Sequence, residues 1–333
     1  INIVQSMRKV GVQMFKLRNF VRLLLLLVIL IPVGTFALTG SILSDIHNPD
    51  INTTSLDDKS HTYKDGIKNI LVMGTDARPG ETTSRADSMM IVTIDSVHDD
   101  IKITSLARDT LVTIPGHGKS KLTHAYAYGK EDLLIRTVEN NFDIDIDEFV
   151  KINFQSFMAI IDSIGGVTVD VTQNELAELN KFIPETYSWS TNKNKGEMEL
   201  VKSAGTQKLN GYQALSYARI RHNDSAFGRD NRQRMIVSSI MKEVKNTSIL
   251  KYPLLLKAAA PYIDSSMSPT EMIKLGLEAL KIGTDNIKQK EFPLVDNPRY
   301  TTNGSYLNYG WVIRYDPDSV KFLKQFIFDD IEY

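Results

Sequence analysis

The chain of 333 residues is long enough for one large domain or two small ones, and its formal net charge of -1 argues against a general nucleic-acid-binding protein. It contains no cysteine, which excludes a disulfide framework, a thiolate zinc site and a cysteine nucleophile. The near-neutral total conceals an asymmetry, because residues 1–22 carry five basic groups and no acidic one. These basic residues are Arg8, Lys9, Lys16, Arg18 and Arg22.

An uncharged and strongly apolar stretch, residues 23–44, follows this basic tail. At a rise of about 1.5 Å per residue, a helix of this length crosses a bilayer. Basic residues before it predict a cytoplasmic N-terminus and an extracellular remainder, in a single-pass protein of the cell membrane. Two alternatives are a buried core helix and a signal peptide cleaved near Thr35-Phe36-Ala37, a stretch that contains small residues. We favour the uncleaved anchor, because the apolar run is longer than most signal cores.

Three further segments are predicted after the anchor. Polar and turn-forming residues predict a linker over residues 45–66. The main domain is predicted over residues 67–248. Residues 249–333 are predicted to be an extension of helices and strands that packs on the main domain or follows it. The sequence gives no residue-level function for this extension.

Short apolar runs in the main domain predict strands at 69–73, 88–94, 101–106 and 110–114. The short turn at 98–100 predicts that the second and third strands form an antiparallel hairpin. A further strand is predicted over 167–171.

Apolar residues at helical spacing interleave with these strands and predict three helices. Their apolar faces are Leu134, Val138 and Phe142; then Phe154, Phe157, Met158 and Ile161; then Val237, Ile240, Met241 and Val244. The glycine pair at 165–166 is expected to end the second helix, and residues 211–218 also look helical. Strands that alternate with helices predict an α/β fold, in the form of an α/β/α sandwich with a mixed central sheet.

Charged residues concentrate in two stretches of the main domain. The first contains Asp76, Arg78, Arg85, Asp87, Arg108 and Asp109; the second contains Arg219, Arg221, Arg229, Arg232 and Arg234, with the uncharged Gln233 among them. A guanidinium is permanently charged and forks onto two phosphate oxygens, whereas carboxylates bind hard cations. The mixture therefore indicates a site for a metal-bridged diphosphate.

The aspartates of the first stretch are candidate metal ligands. Asp76 follows a predicted strand directly and Asp87 lies at the start of the next one, so the two carboxylates can converge on one cation. Two carboxylates, phosphate oxygens and water are the usual ligands of Mg²⁺, with Mn²⁺ as the alternative. The competing interpretation is that both aspartates cap turns, where this residue is common.

The basic residues are candidate phosphate ligands. Arg78, Arg85 and Arg108 lie near the same predicted strand ends. Arg219 and Arg221 are two apart and share a face only if the preceding helix has ended. Arg229 and Gln233 share a face of the next helix, and Arg232 lies beside them. The alternative for any single arginine is a solvated surface charge.

A glycine-containing loop at 115–118 precedes two further candidates. Lys121 is a candidate ligand of the phosphate or of the acceptor. His124 is a candidate proton shuttle, although a hydrogen-bonded structural histidine is the commoner case.

These residues resemble the LytR-CpsA-Psr phosphotransferases of Gram-positive cell envelopes over roughly residues 68–245. The resemblance rests on several motifs in order: Asp76 with Arg78, Arg85-x-Asp87, Leu106-Ala107-Arg108-Asp109, Lys121-Leu122-Thr123-His124-Ala125-Tyr126, Arg219-x-Arg221, and Gly228-Arg229-x-x-Arg232-Gln233. In that family, the residues that match Asp76 and Asp87 hold magnesium. Those that match Arg85, Arg108, Arg221, Arg229 and Gln233 bind pyrophosphate. We therefore predict that Arg108, Arg221 and Arg229 carry the catalytic charge stabilisation.

The resemblance implies a transferase. The expected donor is a glycopolymer, of the teichoic acid or capsular polysaccharide type, on undecaprenyl pyrophosphate. The expected acceptor is peptidoglycan, and the product is a phosphodiester link between the two. Neither the polymer nor the general base follows from the sequence.

Three alternatives remain open at this point. The first is a pyrophosphatase that acts on the same lipid. The second is a membrane-bound transcriptional attenuator, but a cytoplasmic part of 22 residues is too short for a helix-turn-helix domain, so we expect no nucleic-acid partner. The third is a non-catalytic wall-binding protein, which would not need paired aspartates beside so many arginines.

Overall fold

The computed structural model describes residues 36–49, 51, 60–75, 86–220, 257–282, 287–294, 297–307 and 310–333, together with Arg232, Met235, Ile236, Ser239 and Glu243. These residues divide into two compact units. One contains the described residues of 36–43 and 154–262, and the other contains those of 44–153 and 263–333.

A mixed six-stranded sheet, in the order β10-β3-β2-β1-β6-β9, forms the centre of the larger unit. Its strands are β1 (Ile67–Thr75), β2 (Ala86–Asp95), β3 (Asp100–Leu106), β6 (Glu148–Ile152), β9 (Ile263–Ser265) and β10 (Ile287–Phe292). The predicted hairpin is confirmed, since β2 pairs antiparallel with β3 and also with β1. The pairs β1–β6 and β10–β3 are parallel, and β6–β9 is antiparallel.

Two small hairpins accompany this sheet. The predicted strand at 110–114 appears as β4 (Leu111–Ile114), but it pairs with β5 (Gly118–Lys121) outside the central sheet. The second hairpin consists of β11 (Thr301–Leu307) and β12 (Gly310–Tyr315). It meets the first hairpin through an isolated parallel bridge between Thr110 and Ile313.

Helices cover the sheet because both of its faces are apolar. The helix α2 (Leu122–Phe142) buries Leu134, Val138 and Phe142 completely, as their spacing predicts. It is interrupted at Gly129 and Lys130, which have non-helical backbone angles. With α7 (Val320–Asp329), it shares one hydrophobic core with β1, β2, β3 and β6. The helix α6 (Pro269–Ile282) also contacts β2 and β3.

The smaller unit contains three helices and one hairpin. The helices are α3 (Phe154–Ser163), α4 (Gln173–Trp189) and α5 (Gly211–Arg219), and the hairpin joins β7 (Val167–Val171) to β8 (Gly205–Leu209). The helix α3 ends at Ser163, before two glycines with positive φ, as predicted. At the start of α5, a Cβ on Gly211 would lie 2.4 Å from the Met158 carbonyl oxygen, so only glycine fits against α3 there.

The described residues of the predicted anchor and linker, which precede the main domain, also make ordered contacts. The helix α1 (Phe36–Ile46) includes the last residues of the predicted anchor, and its Ile42 and Leu43 are buried. In the predicted linker, His47 forms a bridge with Ser265, and Ile51 joins the main core. No helix in the described part of the chain has the length and apolarity to span a membrane, and residues 23–35 lie outside that part.

Candidate functional site

The end of β1, the start of β2 and the end of β3 lie side by side at one end of the central sheet. The described residues of the first charged stretch lie at this end. The register pairs Gly74 at the end of β1 with Ser88 at the start of β2. It also pairs Met89 of β2 with Leu106, the last residue of β3. Asp87 therefore lies directly beside the loop that carries Arg108, although 21 positions separate the two residues.

The start of α2 fixes the backbone at this edge. The first N–H groups of a helix have no partner within the helix, and here two of them donate to the loop after β3. The N–H of Leu122 donates to the Thr110 carbonyl at 2.9 Å, and that of Thr123 donates to the Arg108 carbonyl at 3.0 Å. The Thr123 hydroxyl also donates to the Ala86 carbonyl at 2.7 Å. The first turn of α2 therefore fixes the backbone of Ala86, which precedes Asp87, and the backbone of Arg108.

Four side chains of alternating charge form a continuous cluster, which we call the edge cluster: Asp87, Arg108, Asp109 and Lys121. Arg108 Nη1 donates to Asp87 Oδ1 at 2.7 Å, and Arg108 Nε lies 3.4 Å from Asp109 Oδ2. The other oxygen of Asp109 accepts a hydrogen bond of 2.7 Å from Lys121 Nζ. The Arg108 side chain keeps 38% of its surface exposed, so it can reach a ligand from solvent.

Electrostatics hold Arg108 in its charged form. Burial of the guanidinium opposes its charge, but the carboxylates of Asp87 and Asp109 outweigh this effect, so the pKa of Arg108 is raised. The cluster thus presents a permanent cation whose present partners are carboxylates. A phosphate, like a carboxylate, offers two acceptor oxygens that a guanidinium can bind with two parallel N–H groups, so it can replace one of the two carboxylates.

The donor set also suits a hard divalent cation. Asp87 is partly exposed at the edge, and its carboxylate is an oxygen ligand of the kind that Mg²⁺ prefers. Within the described ranges, no three His, Asp or Glu side chains converge as a metal-ligand group. Such a group is not required, because Mg²⁺ bound at a phosphate site often uses only one or two carboxylates.

Most of the other predicted site residues lie outside the described residues. These are Asp76, Arg78, Arg85, Arg221, Arg229 and Gln233. Their predicted roles in metal and pyrophosphate binding remain predictions. The predicted site residues that the structure does describe are Asp87, Arg108 and Lys121 in the larger unit, and Arg219 and Arg232 in the smaller one; each group is described within its own unit.

Arg219 is the last residue of α5, so the helix does end where the two-residue spacing requires. Its guanidinium lies over the rings of Trp189 at 4.4 Å and Phe182 at 5.2 Å, and it donates to Glu185 at 2.9 Å. These partners occupy one face of α4 at helical spacing. The aromatic contacts orient the guanidinium, and its predicted role in phosphate binding stays a prediction.

Arg232 is buried, with only 1% of its side chain exposed. It donates to Glu175 at 3.1 Å and to the Ile220 carbonyl at 2.7 Å. Those bonds tie the end of α5 to the start of α4. In this conformation the guanidinium stabilises the interior of the unit, and contact with a ligand would require it to release the partly buried carboxylate of Glu175.

His124 has structural partners. Its Nδ1 lies 2.8 Å from the Ser120 hydroxyl, and its ring lies 5.8 Å from that of Tyr128. These contacts favour the structural interpretation over a proton shuttle. Asp109 belongs to the first charged stretch, but the sequence assigns it no role of its own, whereas in the structure its carboxylate contacts both cations of the cluster. The available signal was its position directly after Arg108 in the third motif.

The fold and the edge cluster together define a class: a mixed α/β protein with alternating carboxylates and cations at one end of its central sheet. The sequence profile described as the LytR_cpsA_psr family matches residues 37–315. The chain therefore belongs to the LytR-CpsA-Psr family.

Similar proteins of this family carry transferase names. A polyisoprenyl-teichoic acid–peptidoglycan teichoic acid transferase of Bacillus licheniformis, TagU, is 34% identical over 207 residues, which cover 61% of this chain and 61% of that protein. TagU of Bacillus subtilis is 31% identical over 256 residues, 76% of each chain. TagT of B. subtilis is 37% identical over 183 residues, 54% of this chain and 53% of the relative. The matches to the first and third proteins thus span less than two thirds of their length.

Solved structures show the same fold. A structure of TagT bound to LI-WTA matches with a TM-score of 0.55 and 25% identity, covering 82% of this chain and 94% of the other. TagV of B. subtilis matches with a TM-score of 0.55 and 26% identity, at 80% and 98% coverage. The Streptococcus agalactiae protein gbs0355 reaches a TM-score of 0.58 at 26% identity, with coverage of 79% and 87%. The mixed sheet with its helices is therefore the fold of this family.

Proposed function

We propose that this protein transfers a glycopolymer from an undecaprenyl-pyrophosphate carrier to peptidoglycan and leaves a phosphodiester link. The edge cluster carries the proposal, because it places Arg108 between two carboxylates at a partly exposed strand end. Family membership and the names of the TagU and TagT relatives support it.

The proposed reaction is a displacement at phosphorus. A hydroxyl of the acceptor sugar attacks the phosphorus next to the glycan, and the bond from that phosphorus to the bridging oxygen breaks. The lipid phosphate leaves with the electron pair, and the acceptor proton passes to a base that the structure does not identify. Negative charge accumulates on the leaving phosphate, so neutralising that charge is the main catalytic task.

The described residues provide part of this neutralisation. Arg108 donates to phosphate oxygens in place of one of its carboxylates, and a fixed charge of this kind stabilises the transition state. Lys121 holds Asp109 and so keeps the guanidinium oriented. Asp87, together with the predicted ligand Asp76, would hold Mg²⁺, which supplies further positive charge to the pyrophosphate.

The proposal includes a membrane anchor. The support is the charge-free segment 23–44 and the basic residues before it. An anchor with this orientation would keep the domain at the outer face of the cell membrane, where the lipid carrier presents its head group. Protease added to intact protoplasts should then degrade all but a small N-terminal fragment. Full protection of the domain would contradict the topology, and a mature N-terminus near Leu38 would show a secreted protein instead.

The function is tested with the full chain in detergent, a lipid-pyrophosphate-linked glycan and soluble peptidoglycan oligomers, with and without EDTA. Mass spectrometry of the products separates the alternatives. A peptidoglycan oligomer that gains the glycan and one phosphate supports transfer. Free phosphorylated glycan, formed equally without the oligomers, would show a pyrophosphatase. No product of either kind would favour a binding or regulatory protein.

A further inference from the structure

The tip of the β4–β5 hairpin presents a histidine ring to the surface of α2. A hydrogen bond of 2.9 Å from the N–H of His117 to the Ile114 carbonyl closes the turn. Gly116 and Gly118, on either side of His117, have φ angles of 75° and 72°, which glycine adopts without strain. The backbone conformation of the tip therefore fixes the direction in which the imidazole of His117 points.

The ring of His117 stacks on the ring of Tyr128, in the second turn of α2. The two centroids lie 4.9 Å apart, and the ring planes are inclined by 24°. Both residues are exposed, and Tyr128 keeps 49% of its surface accessible. His124 lies one helical turn before Tyr128 on the same face of α2, and its ring is 5.8 Å away. These three rings, His117, His124 and Tyr128, form a surface that we call the aromatic platform.

Tyr128 does not serve the hydrophobic core of the unit. Tyr126, two residues earlier, is 4% exposed, and its hydroxyl donates to Glu131 at 3.4 Å. Residues two apart point to different sides of a helix, so α2 directs Tyr126 inward and Tyr128 outward. The ring of Tyr128 therefore has surface to offer a ligand.

The platform lies beside the edge cluster, at the start of α2. The Ser120 hydroxyl lies 2.8 Å from His124 Nδ1, and the next residue along β5 is Lys121 of the edge cluster. The side chains of Ser120 and Lys121 point to opposite faces of β5, so the platform is a neighbour of the cluster and no part of it. At a rise of about 1.5 Å per residue, Tyr128 lies about 10 Å from Lys121 along the helix axis. A glycan strand of a few sugars spans this distance.

The chemistry of the platform favours a sugar over a phosphate. An aromatic face carries partial negative charge and attracts the C–H groups on the apolar face of a pyranose ring. Imidazole and phenol groups also donate to and accept from sugar hydroxyls, and none of the three rings carries a permanent charge. The donor of the proposed reaction is held through its pyrophosphate, whereas the acceptor reacts through a neutral hydroxyl. The acceptor is therefore the substrate that needs contacts of this kind.

We propose that the aromatic platform is an acceptor subsite, in which the rings of Tyr128 and His117 stack on a pyranose ring of the peptidoglycan glycan strand. The proposal rests on the proposed transfer function and specifies where its acceptor binds. The reacting hydroxyl belongs to another sugar of the same strand, nearer to the edge cluster. Binding at the platform holds that sugar close to the phosphate expected at Arg108. The hairpin tip and the outward face of α2 thereby gain a role in acceptor binding.

Saturation-transfer NMR tests the contact directly, with the full chain in a detergent that has no aromatic groups. When the aromatic protons of the protein are irradiated, soluble N-acetylglucosamine–N-acetylmuramic acid oligosaccharides should receive saturation at their C–H protons. Tyr128→Ala should remove most of this transfer, and Tyr128→Phe should retain it because the ring is kept.

The same measurement distinguishes the two substrates. A soluble teichoic acid fragment should show no saturation transfer that depends on Tyr128. Equal transfer to the oligosaccharides in wild type and Tyr128→Ala, no transfer to them in wild type, or Tyr128-dependent transfer to the teichoic acid fragment alone would overturn the acceptor assignment. The measurement needs no turnover, so it is informative even if the protein transfers nothing.

Steady-state kinetics provide the second test. Tyr128→Ala should raise the KM for the peptidoglycan oligomer about three- to tenfold, with kcat and the donor KM unchanged, since an aromatic contact contributes on this scale. His117→Ala should raise the same KM. The control is Tyr63→Ala, which removes an exposed ring that precedes β1, away from the hairpin. Wild-type acceptor KM values in both Tyr128→Ala and His117→Ala would contradict the proposal while leaving the transfer activity established.

Discussion

Arg108 donates a hydrogen bond of 2.7 Å to Asp87, so a predicted phosphate ligand and a predicted metal ligand are partners of each other. This pairing has a consequence for substrate binding. A phosphate that takes over Arg108 leaves Asp87 without its cation, and a divalent ion at Asp87 restores the balance. Binding of the diphosphate and binding of the metal should therefore favour each other.

That coupling leads to a prediction about Asp87. Asp87→Asn should abolish the metal-dependent part of turnover and weaken Mg²⁺ binding in the presence of a pyrophosphate ligand. Asp76→Asn should do the same if it shares the ion. Calorimetric titration of Mg²⁺, with and without inorganic pyrophosphate, measures the effect. The matched control is Asp99→Asn, because Asp99 is exposed in the turn that follows β2, at the opposite end of the strand from Asp87. Full metal dependence in both Asp87→Asn and Asp76→Asn would place the site elsewhere.

Arg108→Ala should lower the transfer rate about 30- to 1000-fold, the usual effect of losing one oriented donor from a transition-state site. Arg108→Lys should recover only part of the loss, because an ammonium restores the charge without the forked geometry. Arg221→Ala is predicted to behave in the same way.

The control for these arginines is Arg136→Ala. Arg136 lies on α2, is exposed, and pairs with Asp132 one turn earlier. Transfer rates at saturating Mg²⁺ should stay near wild type in this variant, and circular dichroism checks that every variant is folded. Small and equal losses at positions 108, 136 and 221 would mean that the arginines are surface charges.

Removing one partner of a buried ion pair in the larger unit should strongly lower the free energy of unfolding. The side chains of Lys102 and Asp95 are completely buried, and Lys102 Nζ lies 2.5 Å from Asp95 Oδ2. Lys102 Nζ also donates to the Ile327 carbonyl near the end of α7. Lys102→Met would leave Asp95 charged in the core and should lower the free energy of unfolding by about 3–5 kcal/mol. The double variant with Asp95→Asn should recover part of that loss.

Urea denaturation measures both variants. Lys181→Met is the control, because Lys181 is exposed and forms a surface pair with Glu178, so its loss should cost less than about 1 kcal/mol. Equal losses at positions 102 and 181 would show that the buried pair adds nothing specific.

Glu148 should make stability fall as the pH rises. Burial at the start of β6, with Glu271 and Asp147 nearby, raises the pKa of Glu148 to about 7, although Ser266 donates a hydrogen bond to it. The unfolded chain has an ordinary glutamate, so between about pH 4.5 and pH 7 the folded state binds more protons. The free energy of unfolding should therefore drop over this interval by about 1–3 kcal/mol relative to Glu148→Gln.

Denaturation curves at several pH values test this linkage. The difference between Glu148→Gln and wild type should grow from pH 4.5 to pH 7 and then level off. Glu197→Gln, at an exposed residue, controls for the removal of one carboxyl group. A difference that does not change with pH would show that Glu148 ionises alike in both states.

The sequence predicts the apolar elements of this fold better than the polar ones. The strands β1, β2 and β3 and the helix α2 have long apolar patterns, and all four are present. The strand β10 has the sequence IKQKEF and carries no apolar run, yet it joins the sheet because its backbone pairs with β3. A strand of this kind is specified by its partner, which a local pattern does not reveal.

The site shows the same limit. Arg108 could be predicted because its motif lies at the end of an apolar strand. The burial of Arg232 could not, since its carboxylate partner Glu175 is 57 positions away. Asp109 likewise gains its significance from its contacts with Arg108 and with Lys121, which lies 12 positions later in the chain. A residue type indicates what chemistry is available, and the tertiary partner decides whether a ligand can reach it.

The origin of the two edge strands matters for how the chain matures. The outer strands of the central sheet, β9 and β10, come from residues after 262, while the inner four come from residues before 153. During synthesis, β3 and β6 therefore each keep one backbone edge unpaired until more than a hundred further residues have been added to the chain. Such edges are open to pairing with other chains. A chain truncated before β9 should accordingly aggregate, even though it would still contain all four residues of the edge cluster.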